Sequence, residues 1–490
     1  MATPPSPHAS KGTSAYGALH QRLPIAAILG AVALTWATAV AASETLPAPV
    51  LAGLQRHGVA SDRQAFVATP LDGGQLHLSV GAELALNPAS TMKLLTTYAA
   101  LSLLGPEYRW RTDAYADGAV LDGVLNGNLV LRGGGDPGLV VERWWAMLQA
   151  LREQGLREIR GDLVIDRTLY ADSPASAASF DHEDNKPYNV PPDPLLINFR
   201  TVSLDFVPDE TRHVAQITAT PTLAGMHIPL TVPLASGPCT DWKSALRADW
   251  TTPVAPRFLG AYRRHCGPKT WHVAALLSPN EYALASFRSV WTDEGGNLGG
   301  RVRDGVVPET ATLLNTYWSP PLGDLIRDIN KNSNNVMARQ VFLTLGRNDD
   351  QIPLSPDRSE NTLRRWLAQE HLSMPELVIR NGSGLSRDER ISAGSLVQLL
   401  THAWHSKEMA VFLASLPIAG VDGTMQHRAI RLRGAAQIKT GTLNGVRSLA
   451  GYVMGSSGHQ YAVAAILNDP HADESQETLD AFLEWVRDNG

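Results

Sequence analysis

A chain of 490 residues is longer than one typical hydrophobic core, so two or three domains are expected. With 44% hydrophobic and 18% charged residues it is globular and not intrinsically disordered. A formal charge of -6 leaves no basic footprint, which excludes nucleic acid and anionic lipid as partners.

The first element is apolar. Lys11 and Arg22 precede the run LPIAAILGAVALTWATAVAA, and the small residues Ala39 and Ala41 stand where a signal peptidase cuts. Residues 1–42 therefore read as a signal peptide cleaved near Ala41, with export to a periplasm. The run Leu23–Ala42 also has the length of a membrane-spanning helix, so retention as an anchor is the alternative.

A short helical pattern follows at Val50–His57, then two strands, QAFVATP and QLHLSV, joined by the turn residues Asp72, Gly73 and Gly74. GAELALNPAS leads into a helix carrying Lys93. Beyond residue 108 short strand patterns dominate, among them GNLVLRGGG, GDLVIDRTLY and HVAQITATPTL, separated by Gly, Pro, Asp and Asn as far as residue 312. This stretch holds Cys239 and Cys266, the sole cysteines; in an oxidising compartment they can close one loop, and two free buried thiols are the other reading.

Helical patterns return in PLGDLIRDINKNSNNVMARQVFLTL, SENTLRRWLAQ and SAGSLVQLLTHAW. Three strand patterns, AAQIKTG, VRSLAGYVMG and QYAVAAILN, precede a last helix whose Leu479, Phe482, Leu483 and Val486 form one apolar stripe. The two early and three late strands are expected to pair into a five-stranded antiparallel sheet flanked by helices. The division is then 1–42 as signal peptide, 43–108 and 313–490 as one split α+β domain, and 109–312 as a β-rich insertion of one unit or of two, the second nested at 206–270.

Within the split domain stand Ser90 and Lys93 in NPASTMK, Ser333, Asn334 and Asn335 in KNSNN, and Lys439 to Thr442 in KTGT. Each is weak alone: Ser-x-x-Lys is compatible with a helix cap, Ser-x-Asn with a turn, Lys-Thr-Gly with an edge strand. In this order they form the acyl-serine set S-x-x-K, S-x-N, K-T-G. The residue types fit that chemistry. A serine hydroxyl needs a base, Lys93 lies one helical turn on, and burial would help to keep it neutral.

With NPASTMKLLTTYAAL, GNLVLRGGGDP, GDLVIDRTLY and NGSGLSRDERIS added, the exported chain resembles the class C low-molecular-mass penicillin-binding proteins, the serine-type D-alanyl-D-alanine carboxypeptidase/endopeptidases. The resemblance implies a penicillin-binding/serine β-lactamase-like transpeptidase domain interrupted by a large β-rich insertion between Ser90 and Ser333. It implies an acyl-enzyme on Ser90 with Lys93 as base. Ser333 would pass a proton to the leaving amine and Asn335 would bind the substrate amide. Thr440 and Thr442 would receive the terminal carboxylate beside Lys439, Gly441 would admit the substrate backbone, and the N–H groups of Ser90 and Thr442 would form the oxyanion hole.

Arg387, with Leu385 beside it, and Asp184 in the insertion are expected to hold the stem-peptide side chain. Peptidoglycan peptides are the implied substrates, and β-lactams the implied covalent inhibitors; other cell-wall proteins and the oligomeric state stay open. No cofactor or metal is expected: His402 and His405 read as ordinary helix histidines without a third ligand. A serine β-lactamase shares the three motifs but not the long insertion, and a non-catalytic cell-wall scaffold would not need the complete set.

Overall fold

The computed structural model describes residues 44–171, 180–347 and 353–490; the apolar segment 23–42 and the cleavage position near Ala41 lie outside them. Five strands form one antiparallel sheet in the order Ala436–Leu443, Val446–Met454, Gln460–Asn468, Gln64–Pro70, Leu78–Val80. The first and last parts of the chain therefore meet in one sheet, with the Lys-Thr-Gly strand at its edge.

Both faces of this sheet are covered, and the period-2 alternation of strand side chains divides the residues between them. Ala65, Val67, Ala450, Tyr452, Ala464 and Ile466 pack into the larger core with the helices Met92–Leu104, Leu322–Asn332, Asn335–Leu345 and Ala393–Trp404. Phe66, Ala68, Leu449, Val463, Ala465 and Leu467 face the helices Ala48–His57 and Gln476–Asn489. The stripe Leu479, Phe482, Leu483 and Val486 is fully buried there, with Phe482 edge-on to Phe66 at 5.3 Å between ring centroids. QYAVAAILN is thus nearly all apolar because neither face meets water.

The intervening chain builds a separate core with two large sheets and a two-stranded ribbon, Ala248–Asp249 with Arg257–Phe258. A seven-stranded sheet contains Arg111–Leu121, Val124–Arg132 and Leu163–Asp166, and is closed by Thr312–Trp318 pairing antiparallel with Arg111–Leu121. It therefore runs past the boundary at 312 expected from the sequence. A five-stranded sheet spans Thr201–Asp209 to Lys269–Ala274, bracketing the expected nested unit at 206–270 on both sides. Cys239 and Cys266 are disulfide-bonded within it.

The stretch is less purely β than its sequence suggested, because Val141–Glu153 and Pro279–Asp293 are helices. The first buries Trp144, Met147, Leu148 and Leu151, an i, i+3, i+4, i+7 set. The second starts at a capping box in which Ser278 and Glu281 satisfy each other's backbone N–H. Among the described residues no helix is long and apolar enough to cross a membrane.

Candidate active site

Ser90 is not a helix cap. It lies in the 3-10 turn Ala89–Thr91 that enters the helix Met92–Leu104, and neither start makes a side-chain capping bond. That helix is buried from Met92 to Leu101, so it belongs to the core on all sides, and Lys93 is carried inside with 0% exposure. Lys93 Nζ is met by three oxygens: Ser90 Oγ at 2.8 Å, Asn335 Oδ1 at 2.5 Å and the Ser383 carbonyl at 2.5 Å.

The second motif divides two helices. Leu322–Asn332 ends at Ser333, which adopts the left-handed conformation with φ 54°, and Asn335–Leu345 begins two residues on. A left-handed non-glycine residue costs about 1–2 kcal/mol, and here it turns Ser333 Oγ towards Lys439, whose Nζ donates to it at 2.9 Å. Asn334 accepts the Met337 N–H at 3.1 Å and caps the second helix, a task an aspartate there would also perform.

The third motif is the edge strand Ala436–Leu443. Lys439 is also at 0% exposure and donates to the Thr440 carbonyl at 2.8 Å; Thr440 Oγ1 donates to Thr424 Oγ1 at 2.7 Å. The strand lies hard against the turn that carries Ser90. A Cβ on Gly441 would come within 2.2 Å of Ser448 Oγ, 2.7 Å of the Pro88 carbonyl and 3.0 Å of the Ser90 nitrogen. Ser448 Oγ already donates to Pro88 O at 2.6 Å, so it is not free to swing aside. Gly441→Ala is therefore expected to move strand and turn apart and slow acylation of Ser90 by about 100-fold, measured with a fluorescent penicillin.

The charges in this site are tuned by burial. Desolvation, and then the positive charge of Lys439, hold Lys93 well below the usual lysine range. Burial alone brings Lys439 down to about 7. Burial and the Lys439 charge thus both favour the neutral form of Lys93, and a neutral amine has two hydrogens and one lone pair. Asn335 Oδ1 and the Ser383 carbonyl can only accept, so they take both hydrogens and leave the lone pair for the Ser90 hydroxyl.

The structure thus brings Ser90, Lys93, Ser333, Asn335, Lys439, Thr440 and Gly441 together; Thr442 follows on the same strand, paired with Arg447 and exposed. Leu385 is buried in the loop that contributes Ser383. Arg387 is exposed, donates to the Asn444 carbonyl at 2.9 Å and has its guanidinium 5.3 Å from the Phe180 ring centroid. Phe180, from the intervening chain, is thus the ring found against Arg387. Asp184 is exposed in a turn, while its neighbour Asp181 accepts from Tyr188 and Asn189 at 2.8 and 2.6 Å.

Sequence reasoning missed Ser383 and Thr424. Ser383 acts through its backbone carbonyl, which no residue type announces; Thr424 reaches Thr440 only through tertiary packing. His402 is taken up by Tyr98, whose hydroxyl is 2.7 Å from Nδ1, and by Glu370 at 3.2 Å from Nε2. Among the described residues no group of three or more His, Cys, Asp or Glu side chains is arranged to hold a metal.

Comparison with known proteins points the same way. Residues 50–488 match the model of the D-Ala-D-Ala carboxypeptidase 3 (S13) family. A D-alanyl-D-alanine carboxypeptidase, DacB, of Haemophilus influenzae is 25% identical over 414 residues, covering 82% of this chain and 85% of its own. A D-alanyl-D-alanine carboxypeptidase of an Actinomadura species is 29% identical over 422 residues, 82% of this chain and 76% of its own. The crystal structure of penicillin binding protein 4 from Haemophilus influenzae superposes with a TM-score of 0.73 at 22% identity, over 90% of this chain and 99% of that one. The chain belongs to the D-Ala-D-Ala carboxypeptidase 3 (S13) family, and is a serine-type D-alanyl-D-alanine carboxypeptidase.

Proposed function

We propose that this carboxypeptidase works outside the cytoplasm on peptidoglycan stem peptides and on their crosslinks, through an ester on Ser90 that β-lactams also form. The observation that carries the mechanism is the buried Lys93 amine, 2.8 Å from Ser90 Oγ with its remaining hydrogens taken by fixed acceptors. Ser90 Oγ attacks the carbonyl carbon of the penultimate D-alanine as its proton passes to Lys93. The oxyanion is held by the backbone N–H groups of Ser90 and Thr442, and the terminal carboxylate lies against Lys439, Thr440 and Thr442.

As the tetrahedral intermediate collapses, the C–N bond breaks and the leaving amine takes, through Ser333, the proton that Lys93 received from Ser90, so Lys93 is neutral again; Lys439 holds Ser333 at 2.9 Å. Water then attacks the ester, giving up a proton to the neutral Lys93; the bond from the acyl carbon to Ser90 Oγ breaks and Lys93 returns that proton to Oγ, which regenerates Ser90. In a β-lactam the amine stays tethered to the acyl group, so the ester persists. Export is supported by the pattern of Lys11, Arg22 and the run 23–42 ending at Ala39 and Ala41. The side chain of the stem peptide is assigned to the surface formed by Leu385 and Arg387, with Asp184 on the facing loop as the further candidate.

The test is incubation of the purified protein with a stem pentapeptide and with a crosslinked dimer, followed by chromatography. Free D-alanine from the first and separated monomers from the second are expected. Arg387→Ala should raise KM for a pentapeptide whose third residue ends in a carboxylate, with kcat held. Failure to release D-alanine contradicts the carboxypeptidase reading; an intact dimer removes the endopeptidase activity; an unchanged KM removes the assignment of Arg387.

A further inference from the structure

Beneath the nucleophile turn sits a carboxylate for which the reaction scheme above has no use. Glu389 has 0% exposure, and burying an ionisable carboxyl costs several kcal/mol unless something compensates it. Its Oε1 accepts the backbone N–H of Arg380 at 3.1 Å and of Asn381 at 3.0 Å, while its Oε2 has no hydrogen-bond partner. Those two N–H groups open the loop that runs to Leu385.

The loop is wired from that point inward. Asn381 Oδ1 accepts from Ser383 N at 3.0 Å and from Ser383 Oγ at 2.7 Å, and Ser383 Oγ in turn accepts from Leu385 N at 3.2 Å. Thr96, on the nucleophile helix, donates to the Gly382 carbonyl at 2.6 Å. Gly384, at φ 81°, is pressed so close that a Cβ would lie 1.8 Å from the Ala89 carbonyl. The outcome is one aimed group, the Ser383 carbonyl, 2.5 Å from Lys93 Nζ.

We propose that Glu389 is a positioning residue for acyl transfer. It fixes the Arg380–Leu385 loop so that the Ser383 carbonyl orients the Lys93 amine towards Ser90, and it sets a negative charge against that amine. This rests on the reading of Ser90 as nucleophile and Lys93 as base. The charged groups acting on Lys93 are Lys439 from the edge strand, Arg339 from the helix Asn335–Leu345 and Glu389 from the loop, and Glu389 alone among them favours the ammonium form. Burial pushes the Glu389 carboxyl up, and the N–H groups of Asn381 and Arg380 and the charge of Lys93 oppose that.

The test is the rate of acylation by a fluorescent penicillin across the pH range, with thermal melting as a check on folding. Glu389→Gln keeps an oxygen for both N–H groups and loses the charge; Glu389→Ala loses both. The alanine variant is expected to acylate about 100-fold more slowly, and the glutamine variant to recover most of that rate. The acid limb of the glutamine variant should move to lower pH, because removing an anion that favours the ammonium lowers the pKa of Lys93. If the alanine variant does not fold, the glutamine profile decides alone. A glutamine variant with the wild-type rate and limb overturns the proposal, as does an alanine variant at the wild-type rate. No adduct on the wild-type protein overturns the reading of Ser90 instead, so the two failures are distinct.

Discussion

Ser90→Ala is expected to lower D-alanine release by about 10⁶-fold, because removing the nucleophile of an acyl-transfer site leaves only the oxyanion hole and binding. The fold should be unaffected. Ser90 Oγ shares one hydrogen bond with Lys93 Nζ and serves no capping role, while the turn around it is held by other groups. Asn87 Oδ1 accepts from Ala89 N at 2.9 Å, Thr91 Oγ1 donates to Pro88 O at 2.7 Å, and Ser448 Oγ donates to the same carbonyl at 2.6 Å. A melting temperature that stays with the wild type, alongside lost turnover, identifies the loss as chemical. A variant that keeps even a tenth of the wild-type rate is incompatible with Ser90 as nucleophile.

The second large effect is on pH dependence. kcat/KM is expected to be bell-shaped: it rises as Lys93 loses its proton and becomes a base, and falls as Lys439 loses the charge that receives the substrate carboxylate. Burial and the Lys439 charge place Lys93 low, and burial brings Lys439 to about 7, so the falling limb of kcat/KM should lie near about 7. An anionic substrate favours the charged form of Lys439 and raises its pKa. The falling limb of kcat is therefore expected at higher pH than that of kcat/KM. Lys439→Ala should abolish this displacement and raise KM for substrates ending in a carboxylate. Superimposable falling limbs in the wild type would show that Lys439 does not meet the substrate charge.

Much of the catalytic half was legible in the sequence because its elements carry local signals. QAFVATP forms the strand Gln64–Pro70, and the last helix buries the very stripe its spacing marks, since turn residues and apolar period are both local. Val141–Glu153 carries an equally clear helical period at Trp144, Met147, Leu148 and Leu151, yet its surroundings of short strands and glycines drew it into a β reading. The end of the intervening sheet was misplaced because Thr312–Trp318 is half-exposed and its partner lies near residue 116, far back in the chain.

The site divides in the same way. Ser90, Lys93, Ser333, Asn335 and Lys439 meet through side chains that stand in recognisable motifs, so their types and order announce them. Ser383 presents a backbone carbonyl, and Glu389 stands in SRDERIS among charged residues that give no local sign of its burial. Only the antiparallel bridge between Val378 and Arg390, which folds the loop back on itself, turns that glutamate inward. Arg387 meets Phe180, a pairing between chain segments that composition cannot register.

The central claim, that Ser90 is the acylated residue, is tested most directly by the intact mass of the protein before and after benzylpenicillin, followed by peptide mapping. The predicted result is one penicilloyl group per chain, persistent on the time scale of the measurement and located on the peptide that contains Ser90. An unmodified mass, or an adduct mapped to any other peptide, would contradict it.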